Sequence, residues 1–225
     1  MNKKKLPPVL YEDDFLIAVN KPARIATVPG GGISNEESVA GLMQKQFQGK
    51  ACHPYVLHRL DIETSGVLLL GKHEQHRKIL EEIFRHPSTR KKYIALLKGI
   101  PFGKLVTKPL PSRSSGELVP AETHYKVLQI FHTGGPKLAL VEAEIKTGRK
   151  HQIRRHFAGV GHPVVLDALY GDQRFNRKFR IIFRLGRLFL HAGSIEFRHP
   201  FLKKMLRIEA PLPMDLQSVL KKLRS

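Results

Sequence analysis

Leu57-His58-Arg59-Leu60-Asp61-Ile62-Glu63-Thr64-Ser65-Gly66-Val67-Leu68-Leu69-Leu70 sets a charged, hydroxyl-rich turn directly against an apolar run. Val67 to Leu70 read as a buried strand, because a continuous apolar run suits a strand covered on both faces. Asp61 then sits at the lip of the core, where a carboxylate costs free energy unless it is paired or used. The bland use is a turn or cap aspartate. The sharper one is chemistry, for which an acid at the end of a rigid strand is well placed.

The rest of the chain bounds that choice. It has 225 residues, 41% of them hydrophobic, which suits a folded protein of one large domain or two small ones. The formal net charge is +20. Such an excess marks a partner of polyanions more often than a merely soluble surface. Acidic lipid is the other polyanion, but no basic amphipathic helix stands out, and no apolar run reaches membrane-spanning length. Cys52 is the only cysteine, so no intrachain disulfide forms, and a reducing compartment fits. Pro7 and Pro8 interrupt the position where a signal peptide needs its apolar stretch. The expectation is a cytoplasmic protein with a flexible basic tail over 1–8 and a single domain over 9–225.

Short strands are expected at Val9–Tyr11 and Phe15–Asn20, a helix over 36–47 capped by Ser34 or Asn35, and another helix over 73–85. Tyr93–Gly99 reads as a strand. Residues 100–122 read as a long surface loop, and Thr123–Phe131 with Lys137–Lys146 as a hairpin. A helix follows over 151–160, then strands over 187–197 and 204–209 and a terminal helix after Pro213. Strand and helix do not alternate regularly, which argues against a doubly wound sheet. Gly30-Gly31-Gly32 lacks the lysine and hydroxyl residue that a nucleotide-phosphate loop needs. His151 and His156 do not share the helical spacing of a zinc motif, so no metal is expected. The clusters Arg90-Lys91-Lys92, Arg174-Arg177-Lys178-Arg180 and Lys203-Lys204 suit a nucleic-acid backbone.

The turn resembles the signature of the RluA-type pseudouridine synthases: His58-Arg59-Leu60-Asp61, then Thr64-Ser65-Gly66 and an apolar strand. Other segments agree. Val19-Asn20-Lys21-Pro22-Ala23 resembles the family's first motif, with Arg24 where glycine is common. Lys91-Lys92-Tyr93-Ile94-Ala95 resembles the segment whose tyrosine lines the base pocket. Thr147-Gly148-Arg149-Lys150-His151-Gln152-Ile153-Arg154 resembles the third motif, with Lys150 in place of a small or hydroxyl residue. Gly161-His162-Pro163, Asp167 and Tyr170-Gly171 continue it, and Leu190-His191-Ala192 with His199-Pro200 resembles the last strand pair.

The resemblance implies an α+β fold, a mixed and largely antiparallel sheet with flanking helices and a central active-site cleft. It implies isomerisation of uridine to pseudouridine in RNA, in rRNA or tRNA, without a cofactor; a monomer is expected because no unusually long apolar surface pattern appears in the sequence. Many relatives carry an N-terminal S4 module that is not seen before Val9. Asp61 inherits the catalytic role and attacks either C1′ of the ribose or C6 of the base. Arg154 is expected to keep Asp61 ionised and oriented; the alternative is a surface arginine on phosphate. Tyr93 is expected to stack on the everted uracil, or else to pack in the core. Arg59 either fills the space left by that nucleotide or clamps a phosphate. Arg149 contacts phosphate or is structural, Ile153 closes the pocket or the core, and His58 bonds within its turn. Thr64 and Ser65 are expected to bond local backbone. The competing classes are a catalytically silent RNA-binding protein on the same fold and a glycosidase-like use of Asp61 with Glu63, whose near adjacency suits that chemistry poorly.

Overall fold

The computed structural model describes residues 5–112 and 115–224. In chain order the elements are β1 (Val9–Glu12), β2 (Leu16–Lys21), α1 (Val39–Gln46), β3 (Tyr55–Val56), β4 (Ser65–Gly71), α2 (Arg77–Glu81), β5 (Arg90–Lys98), β6 (Leu105–Val106), β7 (Leu110–Pro111) and β8 (Leu118–Val119). There follow β9 (Thr123–Phe131), β10 (Leu138–Ile145), α3 (Gln152–Gly159), α4 (Gln173–Phe183), β11 (Leu190–Arg198), β12 (Met205–Glu209) and α5 (Met214–Arg224). The expected mixed fold with a largely antiparallel sheet holds: β1-β2, β2-β4, β3-β4, β5-β10, β9-β10, β6-β9, β11-β12 and β7-β8 pair antiparallel.

The described residues form two compact units, with the boundary at Thr89–Arg90 and again inside β11 at His191–Ala192. The first unit extends to Thr89 and resumes over Ala192–Pro211. Its sheet is ordered β1-β2-β4-β11, with β3 on β4 and β12 on β11. Every residue of β4 is buried, as the apolar run requires. Leu16, Ala18, Val67, Leu69, Ile195 and Phe197 fill one core on this sheet, with Leu80 and Ile83 from the α2 region. Chain order begins before β1: Pro7 is buried, and the Asn20 N–H donates to the Pro8 carbonyl at 2.8 Å. The part of the expected tail at residues 1–4 lies outside the described residues.

The second unit holds Arg90–His191 and the described residues from Leu212 onward. Its sheet is ordered β5-β10-β9-β6, with Tyr93 opposite Ala143 and Lys91 opposite Ile145. Alternation along β5 splits its side chains between two cores. Ala95 and Leu97, with Tyr93 against them, join Ile153 and Phe157 of α3. Leu96, with Ile94, joins Phe179 of α4 and Leu216, Val219 and Leu220 of α5.

Several elements differ from the sequence expectation. The first helix begins at Val39, not residue 36, because Ser38 is the N-cap; its Oγ accepts the Gly41 N–H at 3.1 Å. Ser34 caps only a separate 3-10 turn over Asn35–Glu37. The stretch 73–85 breaks into 3-10, α and 3-10 turns. Only Leu80 and Ile83 bury there, and that three-residue spacing suits a tighter turn. The long loop contains β6, β7 and β8. Helix α4 was read only as a basic cluster. Its Phe175, Phe179 and Phe183 in fact form a helical apolar stripe behind the cations, and Asp172 caps it at the Phe175 N–H, 3.0 Å.

Candidate active site

The Asp61 turn is held from beneath by β2 and the segment after it. Lys21 is fully buried, and its Nζ donates to the carbonyls of Ile25 (2.7 Å), Pro22 (2.9 Å) and Ile62 (3.3 Å). A buried ammonium is tolerable because carbonyl oxygens replace its water. The Arg24 N–H reaches the same Ile62 carbonyl at 2.7 Å. Arg24 has φ 65°, in the left-handed region, which gives a physical reason for glycine to be common at that place. On the other side, Thr27 Oγ1 donates to the Leu60 carbonyl (2.8 Å) and faces the Leu60 N–H (3.1 Å). Both neighbours of Asp61 are therefore pinned through their backbone.

Within the turn, the Thr64 N–H donates to the Asp61 carbonyl at 3.0 Å. The Thr64 hydroxyl does not act as expected: it is buried and makes no hydrogen bond among the described residues. Gly66 enters β4 with φ 119°, and a Cβ there would lie 2.1 Å from the Ala192 carbonyl oxygen. His58 Nε2 accepts the Leu69 N–H at 3.0 Å, and its ring lies 4.7 Å from that of Phe84. It ties the turn to β4, rather than bonding within the turn as the sequence suggested. Arg59 is exposed and Asp61 half-buried.

In the second unit, Tyr93 is half-buried and packs on the cluster that contains Ile153, which is 4% exposed. The structure thus brings the expected base-stacking residue and its apolar neighbour together. Lys91 lies on the same face of β5. Burial, and then the nearby Lys146, push its ammonium pKa down. Its neighbours Arg90 and Lys92 pair across the sheet with Glu144 and Glu142 at 2.9 and 3.0 Å, so the basic cluster is partly neutralised.

The third motif forms the start of α3. Gln152 organises it: its Oε1 accepts the Arg149 N–H (3.1 Å) and the Thr147 hydroxyl (2.7 Å), while its Nε2 donates to the Glu122 carbonyl (2.8 Å). His151 takes φ 54° before the helix, and its Nδ1 lies 3.0 Å from the Tyr170 hydroxyl. Arg149 reaches the Pro120 carbonyl through Nε at 3.4 Å. Arg154 Nε and Nη2 donate to the two oxygens of Asp167 at 2.7 and 2.9 Å. Asp167 also accepts the N–H groups of Leu169 (2.9 Å) and Tyr170 (3.0 Å). Burial alone would raise the Asp167 pKa; the hydrogen bonds and charge of Arg154, with the two amides, hold it below the usual carboxylate value. The Arg154 guanidinium also faces the Tyr170 ring at 5.3 Å.

Residues 15–159 match the family described as RNA pseudouridylate synthase. The chain belongs to that family. The synthase is 36% identical to ribosomal large subunit pseudouridine synthase C of Vibrio cholerae serotype O1 over 96% of its own length and 69% of the relative's. It is 37% identical to the protein of that name from Escherichia coli K12, over 96% of itself and 70% of the relative. Among solved structures, the human RNA pseudouridylate synthase domain containing 4 matches with TM-score 0.76 and 27% identity, over 96% of this chain and 92% of that one. Human RNA pseudouridylate synthase domain containing 1 shares the fold, with TM-score 0.71 and 22% identity.

The synthase is an isomerase that converts uridine in RNA to pseudouridine. The N1–C1′ bond breaks, the uracil turns, and C5 joins C1′; no atom is lost. Sequence reasoning missed Lys21, Gln152, Asp167 and Tyr170 as parts that hold this machinery in place. Asp167 carried a signal, since an acid directly after the apolar Val164-Val165-Leu166 must find a buried partner. Among the described residues no helix is long and apolar enough to cross a membrane, and no cluster of His, Cys, Asp or Glu suits a metal ion.

Proposed function

We propose that Asp61 is the carboxylate that carries the isomerisation and that the target uridine lies in ribosomal RNA. The observation that carries this reading is the Asp61 turn, pinned on both sides through Leu60 and Ile62 while Asp61 itself stays half-buried. A carboxylate is ionised at neutral pH, with an ordinary pKa of about 3.9, and can form a covalent intermediate that splits one difficult step into two. The ribosomal assignment draws on the likeness to relatives named for the ribosomal large subunit.

In this proposal Tyr93 takes the face of the everted uracil, with Ile153 behind it. Aromatic stacking worth about 1–3 kcal/mol per base offsets part of the cost of unstacking. Arg154, held in one plane by Asp167 at its Nε and Nη2, is assigned the further role of cationic partner to Asp61. Arg59 and Arg149 meet the RNA backbone, and His58 holds the turn from which Arg59 projects. The proposed enzyme works without metal or cofactor as a cytoplasmic monomer; the buried Cys52 suits that compartment.

Pseudouridine mapping of ribosomal and transfer RNA, from cells with and without the protein, tests the reading. Loss at one or a few ribosomal sites supports it. Loss confined to transfer RNA overturns the ribosomal assignment, and no change at any site favours a silent RNA-binding protein.

A further inference from the structure

Helix α4 carries a cationic face that the chemistry above does not use. From Gln173 to Ile195 the sequence holds no aspartate or glutamate, while Arg174, Arg177, Lys178, Arg180 and Arg184 recur along the helix and its end. All of them are exposed. Several other surface cations of the chain sit against carboxylates, among them Arg77 on Glu74, Arg85 on Glu82 and Arg90 on Glu144. Among the described residues no carboxylate pairs with these α4 cations. The acid nearest in sequence, Asp172, is taken by Lys98 and by the helix amide of Phe175. Like charges at helical spacing repel, and the repulsion is relieved only when anions arrive. Ile181 and Ile182 stand on the same face, 72% and 65% exposed.

The position of α4 within its unit is as informative as its charge. Tyr93, Ala95 and Leu97 point to the sheet face that carries Ile153 and Phe157. Ile94 and Leu96 point to the other face, where Phe175, Phe179 and Phe183 of α4 pack. Helix α4 therefore covers the side of the β5-β10-β9 sheet opposite Tyr93. Packed layers lie roughly 10 Å apart. A short RNA segment that presents its base to Tyr93 does not also lie along the outer face of α4.

We infer that the exposed face of α4 is a second RNA-docking surface, which grips the backbone of a segment of a large structured RNA other than the segment that carries the target uridine. The inference rests on the reading that Tyr93 meets the target base. Arginine forks match phosphate oxygens in bidentate geometry, and the two isoleucines offer apolar contact to sugars and bases. Anionic lipid is the rival polyanion, but the phenylalanine stripe of α4 is spent on the core and leaves only the two isoleucines to insert.

The triple variant Arg174→Gln/Arg177→Gln/Lys178→Gln of the full chain tests this. Glutamine keeps helix propensity close to that of arginine and lysine, and the buried face is untouched. Pseudouridine formation is measured on intact large-subunit ribosomal RNA and on the same RNA hydrolysed to short fragments. On intact RNA the variant's KM rises by tenfold or more with kcat unchanged; on fragments both constants equal those of the wild type. The slope of log Kd against log salt on intact RNA becomes shallower by about 2 to 3, at roughly 0.7–0.9 per phosphate contact. Equal behaviour of variant and wild type on intact RNA overturns the inference, as does an equal loss on both substrates. Loss of binding to phosphatidylglycerol vesicles with RNA binding intact overturns it in favour of a membrane. Should the wild type make no pseudouridine in either RNA, the reading of the site fails, and the filter-binding slope alone decides the docking surface. Arg177→Gln alone, with a slope change of about 1, repeats the test if the triple variant melts early.

Discussion

Arg154 grips Asp167 through two parallel hydrogen bonds, Nε to Oδ2 at 2.7 Å and Nη2 to Oδ1 at 2.9 Å, with both side chains almost wholly out of water. Removing one partner strands the other charge in the interior, which costs about 3–5 kcal/mol. Asp167→Ala should lose stability of that order in urea unfolding. It should also lose turnover at temperatures where it stays folded, since Arg154 is then no longer held in one plane. The pair also sets a pH dependence. The folded Asp167 pKa is depressed, so its contribution is complete above the unfolded value near 3.9 and disappears as pH falls through the lower folded value. Wild-type stability should therefore drop below about pH 4, and the difference between wild type and Asp167→Ala should shrink there. A difference that holds constant down to pH 2 would assign the effect to packing.

Lys21 is the hidden support of the Asp61 turn. Lys21→Met keeps the length of the side chain but strands the carbonyls of Ile25, Pro22 and Ile62. The expected loss is about 3 kcal/mol or more, since hydrogen bonds to charged groups contribute about 1.5–3 kcal/mol each. Because Ile62 follows Asp61, kcat should fall more than KM rises in enzyme shown by circular dichroism to be folded. Unchanged kcat would show that the turn keeps its shape without the ammonium.

Two substitutions a few positions along should behave in opposite ways. Thr64→Val exchanges a buried hydroxyl that has no hydrogen bond among the described residues for a methyl group, and should change stability by less than about 1 kcal/mol in either direction. Gly66→Ala should cost more than about 4 kcal/mol. Its φ of 119° disfavours any Cβ, and the new atom would meet the Ala192 carbonyl oxygen at 2.1 Å. Thermal melts of the pair check both; comparable losses would contradict the geometry of the turn.

These contrasts mark what was legible in the sequence. Strand β4 was readable because Val67-Leu68-Leu69-Leu70 is apolar throughout and every one of those residues is buried. The hairpin of β9 and β10 was readable from the glycines and proline between its arms. Helix α4 was missed because its cations dominate the text while its three phenylalanines, four residues apart, are the part that folds. The 73–85 stretch was overread as one helix, since Ile79 mimics a core position yet is 48% exposed. For the proposed site, residue types pointed to Asp61, Tyr93 and Arg154, but the backbone supports of the Asp61 turn were not visible. The grip of Lys21 on Ile62 joins residues distant in sequence, and such a contact leaves no local pattern.

The most direct test of the account compares wild-type enzyme with Asp61→Asn on ribosomal RNA, scoring pseudouridine formation and RNA binding side by side. The substitution keeps the shape of the side chain and removes its charge. Pseudouridine formation should fall by at least about a thousandfold, in the range seen when a nucleophile is removed, while the dissociation constant for RNA stays within about threefold. Turnover by Asp61→Asn at a rate near that of the wild type would contradict the assignment of Asp61 as the reacting carboxylate.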